Sequence, residues 1–200
     1  MEYNLLFIII LIYLIGSIPF AFIITKLSGY GDIRNIGSGN VGSTNVLRTG
    51  NKFLAITVLI FDILKGYIPT FYILNYLFNL NNNELTIYVL GSMAILGHIF
   101  PFWLKFKGGK GIATYIGYIF AVNFILGVFF VFLWLFIAFL TKYSSIASIF
   151  SLFFIPFLML FLSYKPSILL FFSLISIILI IKHHSNIKRF LNNSEAKIKF

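Results

Sequence analysis

Long apolar runs recur along this chain, and they constrain its solvent and its fold. Stretches of roughly eighteen apolar residues mark helices that cross a bilayer. Runs of about that kind lie near residues 5–24, 53–77, 85–104, 112–141, 146–162 and 168–181. A mean hydropathy of +1.01 and a 10% share of charged residues exclude an ordinary soluble domain. In lipid the backbone must satisfy its own hydrogen bonds, so these runs are helices. The expected architecture is an all-α polytopic membrane protein, a single integral-membrane domain over residues 1–200.

The run at 112–141 spans roughly thirty residues, about 45 Å as a helix, which is too long for one crossing. Asn123 interrupts it and divides it into a helix near Ile112–Ala121 and another near Phe124–Leu140. The total is then seven transmembrane helices. The N-terminus has no basic region and no small-residue cleavage site, so the first helix is expected to be retained. Short polar turns follow at Leu80–Glu84, Lys142–Ser145 and Ser163–Pro166.

Charge sets the orientation, because Lys and Arg gather on the cytoplasmic side. With the N-terminus outside and seven crossings, that side holds Lys26, Arg34, Arg48 and Lys52. It also holds Lys105, Lys107, Lys110, Lys142 and the basic tail from Lys182. Lys165 alone falls outside, and Lys65 lies within a span. The C-terminus is therefore expected in the cytoplasm. The net charge of +10 is explained by topology and by anionic lipids or substrates, so no nucleic-acid partner is expected. The chain has no Cys, which excludes disulfides and thiol nucleophiles. Three His and five acidic residues are too scattered to suggest a metal.

The richest polar islands all fall on that one side. Residues 31–50 carry Gly31, Gly37, Gly39, Gly42 and Gly50, which let backbone N–H groups approach an anion. Ser38, Ser43 and Thr44 add hydroxyl donors, and Arg48 adds a planar fork suited to phosphate. The alternative is a flexible loop. A second island, Phe106-Lys107-Gly108-Gly109-Lys110-Gly111, leads into a helix N-terminus, where an anion can bind. It lacks the order of a nucleotide-binding P-loop. A third, around His183 and Asn186, offers a group able to bind phosphate or move a proton, or simply a lipid-facing basic segment. Asp62 and Lys65 share a helix face within a span and read as a structural ion pair. Trp103 and Trp134 read as packing or interface anchors.

Four blocks, in this order, resemble the bacterial acyl-phosphate:glycerol-3-phosphate acyltransferases, the small integral-membrane PlsY type. They are Gly-Ser-Gly-Asn-Val-Gly-Ser-Thr-Asn-Val-Leu-Arg (37–48), Asp-Ile-Leu-Lys-Gly (62–66), and Gly-His-Ile-Phe-Pro (97–101) with Phe-Lys-Gly-Gly-Lys-Gly-Ile-Ala-Thr (106–114). The last is His-His-Ser-Asn-Ile-Lys-Arg (183–189) with Glu195. The resemblance implies a multi-pass enzyme of the bacterial plasma membrane, with its active site facing the cytoplasm. It implies transfer of a fatty acyl group from acyl phosphate to the 1-hydroxyl of sn-glycerol 3-phosphate, giving lysophosphatidic acid and phosphate.

By that resemblance Ser38, Arg48, Lys107, Ser145, His183 and Asn186 contact the substrate phosphates. Asn40, Thr44 and the glycines 108 and 109 are further candidates. Ser38, Arg48, His183 and Asn186 are expected to be catalytic. Asp62, Lys65 and Glu195 give structural support. The family commonly has Gly where Asn193 stands, a position Asn can fill because it tolerates a left-handed backbone. The His-x4-Asp signature of other glycerolipid acyltransferases is absent. No cofactor or metal is expected, the acyl chain lies in membrane lipid, and the protein acts as a monomer. A transporter or channel for a phosphorylated metabolite is the main alternative, and a non-catalytic lipid-binding or assembly protein is another.

Overall fold

The computed structural model describes residues 5–77 and 83–198, and every regular element in them is helical. Most of the polar turn expected at 80–84, and the last two residues of the basic tail, lie outside the described residues. The chain divides into two compact units, Met1–Val122 and Asn123–Phe200.

The first unit holds α1 (Leu5–Ser17), α2 (Phe20–Leu27), the short α3 (Ser43–Val46), α4 (Lys52–Tyr72), α5 (Glu84–Ile99) and α6 (Ile112–Val122). The apolar run at 5–24 is not one helix: it breaks between Ser17 and Phe20. Pro19 has no N–H to donate and its ring crowds the preceding turn. The Ile18 carbonyl, within the break, accepts from the Phe20 N–H at 3.1 Å and from the Lys65 ammonium at 2.8 Å. The α5 helix likewise stops at Ile99, before Pro101, and continues as a single 3₁₀ turn, Phe102–Leu104.

Helices in lipid gain little from apolar contact alone, so they pack through small residues that let backbones approach. Gly66 on α4 faces the Thr114 carbonyl, and Gly117 on α6 faces the Ile63 carbonyl. A Cβ at either site would overlap the opposing backbone. The same device joins α1 and α5 through Gly16 and Gly97.

The polar loop is anchored by its few apolar residues. Ile33, Val41 and Val46 are buried with Ala21, Ala55, Val58 and Leu104. Burying such a side chain stabilises by about 1.5–3 kcal/mol, so the loop is fastened to α2 and α4. The flexible-loop alternative does not describe it.

The second unit holds α7 (Phe124–Thr141), α8 (Ser144–Phe161), α9 (Pro166–Ile181) and α10 (His184–Leu191). Asn123 ends the preceding helix as expected and caps α7, accepting from the Ile125 N–H at 2.8 Å. Its amide also donates to the Tyr164 hydroxyl at 3.0 Å. Trp134 Nε1 donates to Ser148 Oγ at 3.0 Å, tying α7 to α8. After Lys182 and His183 the chain bends by 51° into α10. The tail then returns, and the Ile198 N–H donates to the Lys142 carbonyl at 2.7 Å.

Among the described residues, five helical stretches are long and apolar enough to cross a membrane, or six if α9 and α10 form one bent span. The protein is thus an all-helical, multi-pass membrane protein. The α6 helix is the short one: its 11 residues give about 16 Å, against a hydrocarbon core of about 30 Å.

Candidate active site

In the polar loop one side chain organises the rest. Asn45 Oδ1 accepts from the Ser38 N–H at 2.9 Å and from its hydroxyl at 3.2 Å. Asn45 Nδ2 donates to the carbonyls of Ile33 at 3.1 Å and Ile36 at 2.9 Å. Asn45 is buried, so these bonds carry the cost of placing an amide out of water. Gly37 has φ 57°, and an added Cβ there would come within 2.7 Å of Arg48 Cδ. Glycine at this point therefore lets Arg48 lie beside the Gly37–Ser38 turn. Arg48 is exposed, and among the described residues no hydrogen bond or ion pair engages it. Arg34, by contrast, is spent on Asp32 through contacts at 2.9 and 2.6 Å. That guanidinium holds the Asp32 carboxyl below the usual range. Asn40 and Thr44 are half-buried in the same loop.

The glycine turn departs from expectation. The N–H groups of Gly108 and Gly109 donate to the carbonyls of Ile99 at 3.2 Å and His98 at 3.1 Å. They are therefore not free donors for a phosphate. The two glycines instead clamp the turn onto the end of α5, where any side chain would overlap His98, Ile99 or Pro101. The clamp leaves Lys107 exposed, and no hydrogen bond or ion pair engages its ammonium among the described residues.

Beneath the turn, the pair read as Asp62 and Lys65 is present, with Nζ 2.8 Å from Oδ1. His98 Nδ1 lies 3.6 Å from the same oxygen. His98 is a member of this cluster that sequence reading did not assign. Its signal was the Gly97-His98 step at the end of an apolar helix, where a buried His must find a polar partner.

In the second unit Glu195 collects three donors. Asn186 Nδ2 donates to Oε1 at 2.6 Å, the Ser145 hydroxyl to Oε1 at 3.2 Å, and Arg189 Nε to Oε2 at 2.8 Å. Burial works to raise the Glu195 pKa, but Arg189, Asn186 and Ser145 outweigh it and hold the carboxyl below its ordinary value. Glu195, expected to give structural support, ties α10 to the start of α8. Asn193, at φ 53°, is left-handed, a conformation Asn tolerates. His183 is buried, with Nδ1 2.8 Å from the Leu179 carbonyl. A carbonyl only accepts, so Nδ1 carries a proton.

Two polar constellations, each tied to buried structure and rich in cationic and hydrogen-bonding side chains, occur in a membrane chain. The glycerol-3-phosphate acyltransferase family model matches residues 6–193. The chain belongs to the glycerol-3-phosphate acyltransferase family. A family member from Pelagibacter ubique is 44% identical over 188 residues, covering 94% of each chain. One from Mesorhizobium japonicum is 44% identical over 198 residues, covering 99% of this chain and 98% of its own. Among solved structures, the glycerol 3-phosphate form of PlsY, an integral membrane glycerol 3-phosphate acyltransferase, is similar with a TM-score of 0.90 and 36% identity. That match covers 98% of this chain and 96% of the other. The lysophosphatidic acid form of PlsY gives a TM-score of 0.87 at 34% identity.

Proposed function

We propose that this family member transfers a fatty acyl group from acyl phosphate to the 1-hydroxyl of sn-glycerol 3-phosphate. The products are lysophosphatidic acid and inorganic phosphate. The observation that carries this reading is the similarity, along nearly the whole chain, to PlsY in its glycerol 3-phosphate and lysophosphatidic acid forms.

The chemistry of the residues agrees. The glycerol hydroxyl oxygen attacks the acyl carbonyl carbon, the carbon–oxygen bond to phosphate breaks, and phosphate leaves with the electron pair. The hydroxyl proton passes to a substrate phosphate or to His183. Acyl phosphate is already activated, so the protein's task is to hold two anions together and to stabilise developing charge. Arg48 and Lys107 supply positive charge, and Ser38 supplies a hydroxyl aligned by Asn45. Asn40 and Thr44 serve as further polar contacts in that loop. Ser145, Asn186 and His183 serve the same reaction, the first two held by Glu195. Gly108 and Gly109 contribute by shaping the turn that presents Lys107. No metal or cofactor takes part in this scheme.

Residues 1–200 act as one acyltransferase domain of a bacterial plasma membrane and function as a monomer. The chain crosses the bilayer seven times, with α6 as the short crossing. Its N-terminus is outside, and its C-terminus and active site face the cytoplasm. The positive-inside count supports this orientation. The acyl chain lies among membrane lipid. A transporter would use the break at Ile18–Pro19 to coordinate its cargo, but Lys65 already occupies that carbonyl.

Donor competition tests the reading. Purified protein is given glycerol 3-phosphate with palmitoyl phosphate, palmitoyl-coenzyme A or palmitoyl-acyl carrier protein. Phosphate release with lysophosphatidic acid formation is expected from palmitoyl phosphate alone. Turnover of a thioester in its absence contradicts the proposed donor.

A further inference from the structure

One carboxylate inside the first unit is tied to more segments than an ion pair needs. Asp62, Lys65 and His98 are 1%, 5% and 7% exposed. Lys65 lies 2.8 Å from Asp62 Oδ1 and donates to the Ile18 carbonyl at 2.8 Å. His98 Nδ1 lies 3.6 Å from that same oxygen. The far side of the His98 ring, at Nε2, rests against Gly109, where a Cβ would overlap it.

A buried ion pair is weak evidence for stability, because desolvation offsets most of the attraction. Fixing an arrangement is the better-attested use of such groups. The arrangement fixed here has two ends. At one, Lys65 holds the break from which α2 runs on into the polar loop. At the other, His98 backs the glycine turn, whose Gly108 and Gly109 N–H groups grip the Ile99 and His98 carbonyls. Just before the clamp, Lys105 and Phe106 sit at φ 52° and 61°, in the left-handed region that a side chain disfavours. Such a backbone persists only where its surroundings over-determine it. Lys107 is the residue set between this strained pair and the clamp.

We infer that Asp62, Lys65 and His98 are positioning residues for Lys107. The Asp62–Lys65 pair packs beside His98, with Oδ1 3.6 Å from Nδ1, beyond hydrogen-bond reach; His98 backs the glycine turn, and the turn aims the Lys107 ammonium at a substrate phosphate. This rests on the proposed function, and it assigns the buried cluster a role in substrate binding beyond structural support.

A double-mutant cycle read in KM and kcat tests it. Lys107→Ala and His98→Ala are each expected to raise the KM of the same phosphate substrate by about tenfold, with a smaller change in kcat. The double variant is expected to be no worse than Lys107→Ala alone, because His98 acts through Lys107. Gly109→Ala leaves all three buried polar groups in place and pushes on the ring. It is expected to reproduce the rise, and to add nothing in the His98→Ala background. If His98→Ala fails to fold in detergent, Gly109→Ala with Lys107→Ala completes the same cycle. Losses that multiply in the double variant overturn the inference while leaving the function intact, as does an unchanged KM in His98→Ala or Gly109→Ala. Absence of turnover by the unaltered protein overturns the functional reading, and the inference with it.

Discussion

Asn45 accepts two hydrogen bonds from Ser38, one from the backbone N–H at 2.9 Å and one from the hydroxyl at 3.2 Å. The bonds fix where the Ser38 oxygen sits, and the two donated by the Asn45 amide fix the turn at 33–36 around it. Asn45→Ala leaves the Ile33 and Ile36 carbonyls without this donor. It should destabilise the protein by about 2–4 kcal/mol, given about 1–3 kcal/mol for each buried polar group left unsatisfied. It should also lower kcat/KM by about 10²-fold, the scale of loss when a reacting geometry slips by an ångström. Thermal unfolding in detergent and phosphate-release kinetics measure the two effects.

Glu195 makes stability depend on pH. Its folded pKa is depressed, so the stability it contributes is fully present above the ordinary carboxylate value of about 4.3. That contribution is lost as pH falls through the lower folded value. Between pH 7 and pH 5 the unaltered protein should therefore show little change from this group, with a loss below about pH 4.3. Glu195→Gln should be less stable at neutral pH, and should lack that part of the acid-induced loss. Melting temperatures measured across pH for both proteins check the sign.

The absence of Cys gives a clean background for topology. Lys165→Cys lies in the turn between α8 and α9, and Lys188→Cys lies on α10. In intact cells a membrane-impermeant maleimide should label Lys165→Cys and spare Lys188→Cys until the membrane is opened. The reverse pattern contradicts the proposed orientation.

Breaks and spans were legible in the sequence where one residue is chemically out of place. Asn123 stands alone in a thirty-residue apolar stretch, and it caps α7 as its side chain suggests. Pro19 carried an equally local signal for the break after Ser17, but the apolar residues around it masked it. Asn193 was legible through the family resemblance, because Asn stands where the family commonly has Gly and tolerates a left-handed backbone.

Asn45 and His98 were not assigned because their roles depend on partners that local pattern does not encode. Asn45 reads as one more polar residue in a polar loop until Ile33 and Ile36 are seen to need its amide. His98 approaches Asp62 across 35 intervening positions, from α5 to α4, a pairing that helical periodicity alone cannot supply. Gly108 and Gly109 show the opposite error. Their composition suggested open N–H groups, whereas proximity to the end of α5 consumes them.

Arg48 offers the most direct test of the central claim, because it is exposed and engages no partner among the described residues that its loss would strand. The measurement is kcat/KM for phosphate release from palmitoyl phosphate with glycerol 3-phosphate, in the unaltered protein and in Arg48→Ala. The unaltered protein should release one phosphate for each lysophosphatidic acid formed. Arg48→Ala should keep its melting temperature and lose about 10²-fold or more in kcat/KM, as expected when a charged anchor of a phosphate is removed. Unchanged kinetics in Arg48→Ala would contradict the account.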